Sequence, residues 1–180
     1  MTRRIFAGAT VALLVLSGAL YAGGQFTLTD KNTTITFLGT KKDGKHNGGF
    51  KGISGTASVE GADPTTLKVN VELDMKSLYA DNPKLTNHLK SPDFFGVKTN
   101  PKSKFVSTKI EKSGDDYKVT GTLTMIGKSK EITFPAKVAV GADGLTVAST
   151  FTIDRTQWGM TFGKGKIDND VKLTINVKAK

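Results

Sequence analysis

The chain has 180 residues, 26 lysines and arginines against 16 aspartates and glutamates, two histidines and no cysteine. Without cysteine, disulfides and thiolate chemistry are excluded, and two histidines leave little from which to build a metal centre. The length suits one domain able to bury a core of its own.

The chain opens on Arg3 and Arg4 followed by an apolar run from Ile5 to Leu16, the pattern of a secretion signal. Small-x-small sites follow at Ser17-Gly18-Ala19 and Ala22-Gly23-Gly24. The expectation is a leader over 1–22, a mature domain over 23–180, and a soluble protein in the periplasm or secreted. The alternative is a retained membrane anchor over Ile5–Ala22, close to the lower length limit for a span. Thr2 to Phe6 also has the look of a twin-arginine signal, and no cysteine follows to carry a lipid. Removing Arg3 and Arg4 leaves an excess of +8 charges, which favours anionic partners such as a negatively charged membrane surface. Lys68, Lys118, Lys137, Lys172 and Lys178 nevertheless scatter over outward strand positions. They read as a solvated basic surface, with no nucleic-acid signature.

Strands are predicted in quick succession: Phe26–Thr29 and Asn32–Thr40 form a first pair separated by Asp30-Lys31, with Ile35 and Phe37 on one face. Lys41 to Gly49 reads as a turn or loose rim. Phe50–Glu60 follows, with Gly52 and Gly55 marking bends. The cleanest alternation sets Leu67, Val69, Val71, Leu73 and Met75 against Lys68, Asn70, Glu72 and Asp74, one face buried and one wet.

Tyr79 to Gly96 breaks this pattern. Pro83 and Pro92 bracket a run in which Leu85 and Leu89 would share one face of a short helix, followed by the adjacent aromatics Phe94 and Phe95. The segment reads either as a lid or plug pushing rings into the end of a β-structure, or as a plain crossover between strands.

Further strands are predicted at Lys104–Glu111, Tyr117–Ile126, Glu131–Val140 and Leu145–Ile153. A glycine-rich segment from Arg155 to Lys166 precedes a last strand at Val171–Val177. The turns are short, including an Asp143-Gly144 hairpin signal. The fold class is therefore all-β: eight or so antiparallel strands with a short helical, aromatic insertion. A sandwich and a closed barrel both fit that count, and the barrel is favoured because it removes exposed edges from long Thr/Val strands. A barrel of this size either fills its interior with side chains or holds one ligand.

Four blocks carry a resemblance. His88-Leu-Lys-Ser-Pro-Asp-Phe-Phe95, Pro101-Lys-Ser-Lys-Phe-Val-Ser-Thr108, Gly121-Thr-Leu-Thr-Met-Ile-Gly127, and Ile153-Asp-Arg155 with Trp158-Gly-Met160 resemble, in order, the signature segments of the YceI-like proteins. The similarity runs from about Phe26 to Lys180. It implies an eight-stranded lipocalin-like barrel in a periplasmic, non-catalytic protein that binds a long-chain isoprenoid such as a polyprenyl phosphate or prenylated quinone. The alternatives are a filled barrel acting as a stress or interaction protein, and a carrier of another amphiphile such as a fatty acyl lipid. Tyr79-Ala-Asp-Asn82 departs from the family's pattern before the first block.

The ligand-facing set expected on this reading draws Phe37, Phe50, Val71, Leu73 and Phe105 from the earlier strands. Leu123, Met125, Phe134, Val138 and Phe151 come from the later ones. Phe94 and Phe95 on the insertion join them, with Trp158 and Met160 in the looser segment. His88 and Arg155 are candidates for a polar headgroup. For Asp154-Arg155, an interior ion pair, a headgroup clamp and a strand-end salt bridge are all open. No catalytic or metal residues are expected, and no cofactor besides the bound lipid. Gly52-Ile-Ser-Gly55 is not a nucleophile elbow, and Gly159 to Lys164 is one spacer short of a phosphate loop.

Overall fold

The apolar–polar alternation sets the strands. In Lys68–Asp74, Val71 is buried while Lys68, Asn70 and Asp74 are exposed, so one face meets an interior and the other meets water. The computed structural model describes residues 23–180. The leader expected over 1–22 lies outside the described residues.

Among the described residues, eleven strands and one α-helix follow in order. They are β1 (Gly23–Thr29), β2 (Thr33–Lys41), β3 (Gly44–Phe50), β4 (Ile53–Glu60), β5 (Lys68–Asp74), the two-residue β6 (Tyr79–Ala80), α1 (Pro83–Lys90), β7 (Lys102–Ser113), β8 (Asp116–Met125), β9 (Lys128–Gly141), β10 (Gly144–Asp154) and β11 (Ile167–Ala179). All pairings are antiparallel, in the order β1-β4-β5-β7-β8-β9-β10-β11-β2-β3-β6. The sheet curls into a half-barrel with one helix. Thus the all-β expectation holds, while the strand count is eleven and not eight.

The strands not expected are β3 and β6, and local chemistry sets the breaks in the chain around them. β1 and β2, expected as a pair, bond instead to β4 and to β11 and β3; they are one run of chain interrupted at 30–32, where Asn32 Oδ1 accepts from Thr29 N (2.9 Å) and Asn32 Nδ2 donates to the Thr27 carbonyl (2.9 Å). β3 and β4 are a second run interrupted at Lys51 and Gly52, whose amides both donate to Ser77 Oγ (3.2 and 2.8 Å). β6 is a two-residue addition to the edge of β3.

β3 also corrects the reading of Lys41–Gly49 as a loose rim. It pairs with β2 throughout and with β6 at Gly48 and Gly49. A side chain at Gly48 would collide with the Phe37 ring and the Tyr79 carbonyl, so glycine here serves close approach between strands.

The turns at 61–67, 114–115 and 142–143 gather at one end, where Leu28, Ala57, Leu67, Ile110, Val119, Leu145 and Val177 pack into a closed base. Burying each such Val, Leu or Ile contributes about 1.5–3 kcal/mol. The β2–β3 and β8–β9 turns, the β10–β11 segment and the insertion between β5 and β7 lie at the other end, the mouth.

Candidate functional site

Between base and mouth lies a cavity of about 260 Å³, walled almost entirely by apolar atoms. Inward-facing Phe37, Phe50, Leu73, Phe105, Leu123, Val138 and Phe151 are only half-buried, although they line the interior. In a filled barrel these side chains would cover one another; here part of their surface faces the cavity.

Aromatic rings shape the walls. Phe134 stacks on Phe151 at 4.2 Å between centroids and tilts against Phe105 at 5.6 Å. Nearer the mouth, Phe50 stands 6.0 Å from Phe37 and meets Phe95 edge-on at 6.5 Å. Such offset and edge-on arrangements suit the ring quadrupoles. Val71, Phe94, Met125 and Met160 complete the expected set on the lining.

The insertion is a cover built by local rules. Asn82 caps α1 by accepting from Lys84 N (2.8 Å) and Leu85 N (3.3 Å), and Pro83 takes the first turn, where its missing N–H is no loss. Thr86 Oγ accepts from Ala80 N (2.9 Å), folding the helix back on β6. Leu85 and Leu89, one turn apart, both face the cavity. After Ser91 the chain doubles back, with Phe95 N and Val97 N donating to the Leu89 and Lys90 carbonyls (both 3.1 Å). Gly96, at φ +53°, makes the reversal possible. Phe94 enters a buried cluster with Met125, Trp158 and Met160, while Phe95 packs beside Met75, Leu78 and Val97.

Two of the sequence candidates lie off the lining. Trp158 is 1% exposed, and its Nε1 donates to the Leu123 carbonyl (3.1 Å), so it fills the wall behind the cavity. His88 sits on the outer side of α1, with Nε2 2.9 Å from Asp93 Oδ2 and its ring edge-on to Phe94 and Phe162.

Arg155 is 3% exposed and does line the cavity. No ion pair with Asp154 forms, which corrects both salt-bridge readings. Instead Nε and Nη1 donate to the carbonyls of Asp168 (3.1 Å) and Met160 (2.6 Å), and Nη2 to that of Ile167 (3.4 Å). Asp154 turns away to cap the following 3₁₀ turn, accepting from Thr156 N (2.8 Å) and Thr156 Oγ1 (2.6 Å). Those bonds hold its carboxyl below the usual carboxylate range. Burial lowers the Arg155 pKa, opposed by the nearby Asp154 charge; a guanidinium stays protonated regardless.

Sequence reasoning missed Ile35, Leu173 and Ile175 as lining residues, although strand parity marks them. It also left His46 and Asp168 out of the site. Both sit at the opening, and their proximity follows from strand pairing across the mouth. Ser103, buried in the wall, has a hydroxyl with no hydrogen-bond partner. Among the described residues no three His, Asp or Glu side chains gather to hold a metal ion.

The profile of the YceI-like domain matches residues 26–179. A UPF0312 protein of Pseudomonas putida is 32% identical over 184 aligned positions, covering 94% of this chain and 95% of its relative. Among solved structures, BcnA of Burkholderia cenocepacia superposes with a TM-score of 0.72 at 23% identity, covering 81% of this chain and 94% of that one. A polyisoprenoid binding domain from Saccharophagus degradans, implicated in plant cell wall breakdown, superposes with a TM-score of 0.68 at 15% identity. It covers 89% of this chain and 99% of its own. These two likenesses show a shared fold.

Proposed function

This chain belongs to the YceI-like domain family, and from that premise we propose that it binds a long-chain isoprenoid lipid inside the curled sheet. The observation that carries the reading is the open apolar cavity, whose inward-facing aromatic and aliphatic walls stay half-uncovered. Support comes from the polyisoprenoid binding domain of Saccharophagus degradans, which shares the fold. The protein acts as a binder and not as an enzyme, and it works in the periplasm or outside the cell after losing residues 1–22. In this reading the eleven hydrogen-bonded segments form a lipocalin-like barrel of eight long runs. The runs β1–β2 and β3–β4 each count as one, β6 is a short edge, and β11 meets β2 to complete the circuit.

The energetics define what such a site has to do. Each buried methylene gains about 0.8 kcal/mol relative to water, but a chain drawn from a bilayer already sits in hydrocarbon and gains almost nothing. Selection then rests on cavity shape, on the polar end of the ligand and on the cover. Phe94 and Phe95, carried by the insertion, contact the chain at the mouth end. Phe37, Phe50, Phe105, Phe134 and Phe151 contact it deeper, with Val71, Leu73, Leu123, Met125, Val138 and Met160. Arg155 supplies the polar contact: its charge is met by carbonyl dipoles and by no carboxylate ion pair among the described residues. A phosphate or a quinone oxygen would complete it.

The test is extraction. Protein purified from its host without detergent should yield, into organic solvent, a lipid whose mass spectrum shows species separated by one isoprene unit. A fatty acyl species would keep the binder and change the ligand. Protein that emerges empty and refuses added polyprenyl lipid would remove the reading. N-terminal sequencing of the same material should begin between Leu20 and Gln25; an intact Met1 in the membrane fraction would establish an anchor.

A further inference from the structure

The lysines at outward strand positions scatter, but those on the turns and the insertion do not. At the mouth, segments 41–45, 81–98, 128–131 and 164–168 carry ten lysines against five carboxylates. At the base, segments 60–63, 111–116, 141–144 and 178–180 carry three lysines against six carboxylates. Contacts tie the mouth segments into one face. His46 Nδ1 lies 2.9 Å from Asp81 Oδ1, Thr40 Oγ1 donates to Asp168 Oδ2 at 2.5 Å, and the His88 and Phe162 rings meet at 4.8 Å. The Lys128 ammonium lies over Gly159.

On this same face stands Phe162, 42% exposed, the most exposed large hydrophobic side chain among the described residues. Phe162 lies on the β10–β11 segment, with exposed Lys164 and Lys166 following it. An aromatic ring flanked by lysines matches the interface of a bilayer, where the ring enters the headgroup boundary and the ammonium groups meet lipid phosphates. The opening of the cavity, marked by Lys41, His46, Leu85 and Asp168, is on this face too.

We propose that the protein docks mouth-first on an anionic lipid bilayer, with Phe162 seated at the headgroup boundary and the lysines of the four mouth segments against lipid phosphates. The occupant is a bilayer because charge complementarity, an exposed ring and the cavity opening coincide on one end, while the opposite end carries the reverse charge. Docking in this orientation brings the opening to the membrane that holds the ligand; in that respect the inference rests on the lipid-binding reading. The field of the charge asymmetry also orients the protein on approach.

The experiment is co-sedimentation with vesicles of phosphatidylcholine alone or with phosphatidylglycerol added, at low and at physiological salt. Removing one lysine from an anionic surface lowers partitioning by about fivefold. The paired change Lys164→Glu with Lys166→Glu should therefore weaken binding to anionic vesicles by about tenfold or more. Lys178→Glu with Lys180→Glu, the same charge change at the base, should alter it by less than about twofold. Phe162→Ser should weaken binding and leave its salt dependence unchanged. Circular dichroism of each variant establishes that it is folded. Equal losses from mouth and base variants, equal binding to neutral vesicles, or no vesicle binding at low salt would each overturn the proposal. Lipid extracted from the same preparations separates the two readings. Vesicle binding by lipid-free protein would keep the docking and remove the carrier, while lipid-loaded protein indifferent to vesicles would do the opposite.

Discussion

The His46 imidazole on β3 lies 2.9 Å from the Asp81 carboxylate, the residue that leads from β6 into α1. Asp81 also accepts from Asn47 N at 2.9 Å, so one carboxylate ties the rim of the sheet to the cover over its mouth.

The Asn47 amide first, and His46 second, hold the Asp81 carboxyl below the usual carboxylate range. A depressed carboxylate contributes above its unfolded value and loses that contribution as pH falls through its folded value. The tie should therefore be intact at neutral pH and released in acid below about pH 4. The protection of the Asn47 amide against hydrogen exchange, relative to an unstructured amide at the same pH, should fall in that range. Asp81→Ala should show that loss of protection, and faster lipid exchange, already at neutral pH with an unchanged unfolding midpoint; slow exchange at Asn47 in that variant would refute the tie.

Strand parity gives a second prediction. Val71 and Val138 line the cavity and Leu123 faces it across β8. Replacing any of them with Asp places a carboxylate in an apolar wall and should cost more than about 4 kcal/mol, or leave the domain unfolded. Lys137→Ala and Lys68→Ala, on the outward face, should change stability by no more than about 0.5 kcal/mol. Urea denaturation distinguishes the two sets, and equal effects would mean that the faces are reversed.

Phe94 and Phe95 should behave differently although they are adjacent. Phe94 is buried in the cluster with Trp158 and Met160, so Phe94→Ala should cost about 3–5 kcal/mol. Phe95 is half-buried over the cavity, so Phe95→Ala should reduce the lipid retained through purification more than it reduces stability. Identical profiles for the two variants would contradict this division.

Trp158→Phe keeps a ring in the wall and removes the hydrogen bond to the Leu123 carbonyl. The expected loss is about 0.5–1.5 kcal/mol, the net worth of one hydrogen bond, with the retained lipid unchanged. A drop in retained lipid at unchanged stability would return Trp158 to the ligand-contacting set.

Ser103→Ala removes a buried hydroxyl that has no partner. Stability in the lipid-free protein should rise by about 1 kcal/mol. If calorimetry instead shows a loss, the hydroxyl has a partner in solution.

The sequence by itself determined the all-β class, the short turns, the start of α1 and most of the cavity wall. Each of these follows from information within a few residues: period-two alternation at Val69, Val71 and Leu73, Pro83 at a first helical position, and Asp143-Gly144 in a hairpin. The four resemblance blocks brought the family within reach for the same reason, being short and contiguous. What only the tertiary structure decided depends on residues far apart in the chain. Lys41 to Gly49 reads as a loose rim until Phe37 and Tyr79 occupy the space that Gly48 leaves. Trp158 reads as ligand-facing until Leu123, 35 residues earlier, offers its carbonyl. Arg155 invites pairing with its neighbour Asp154, yet the fold brings three carbonyls from 160–168 to the guanidinium while Asp154 caps a turn. The lysines look scattered because strands that run up and down return to the same end only after a full strand length. Their segregation toward the mouth is a property of the turns' shared location, which strand pairing creates and linear spacing conceals.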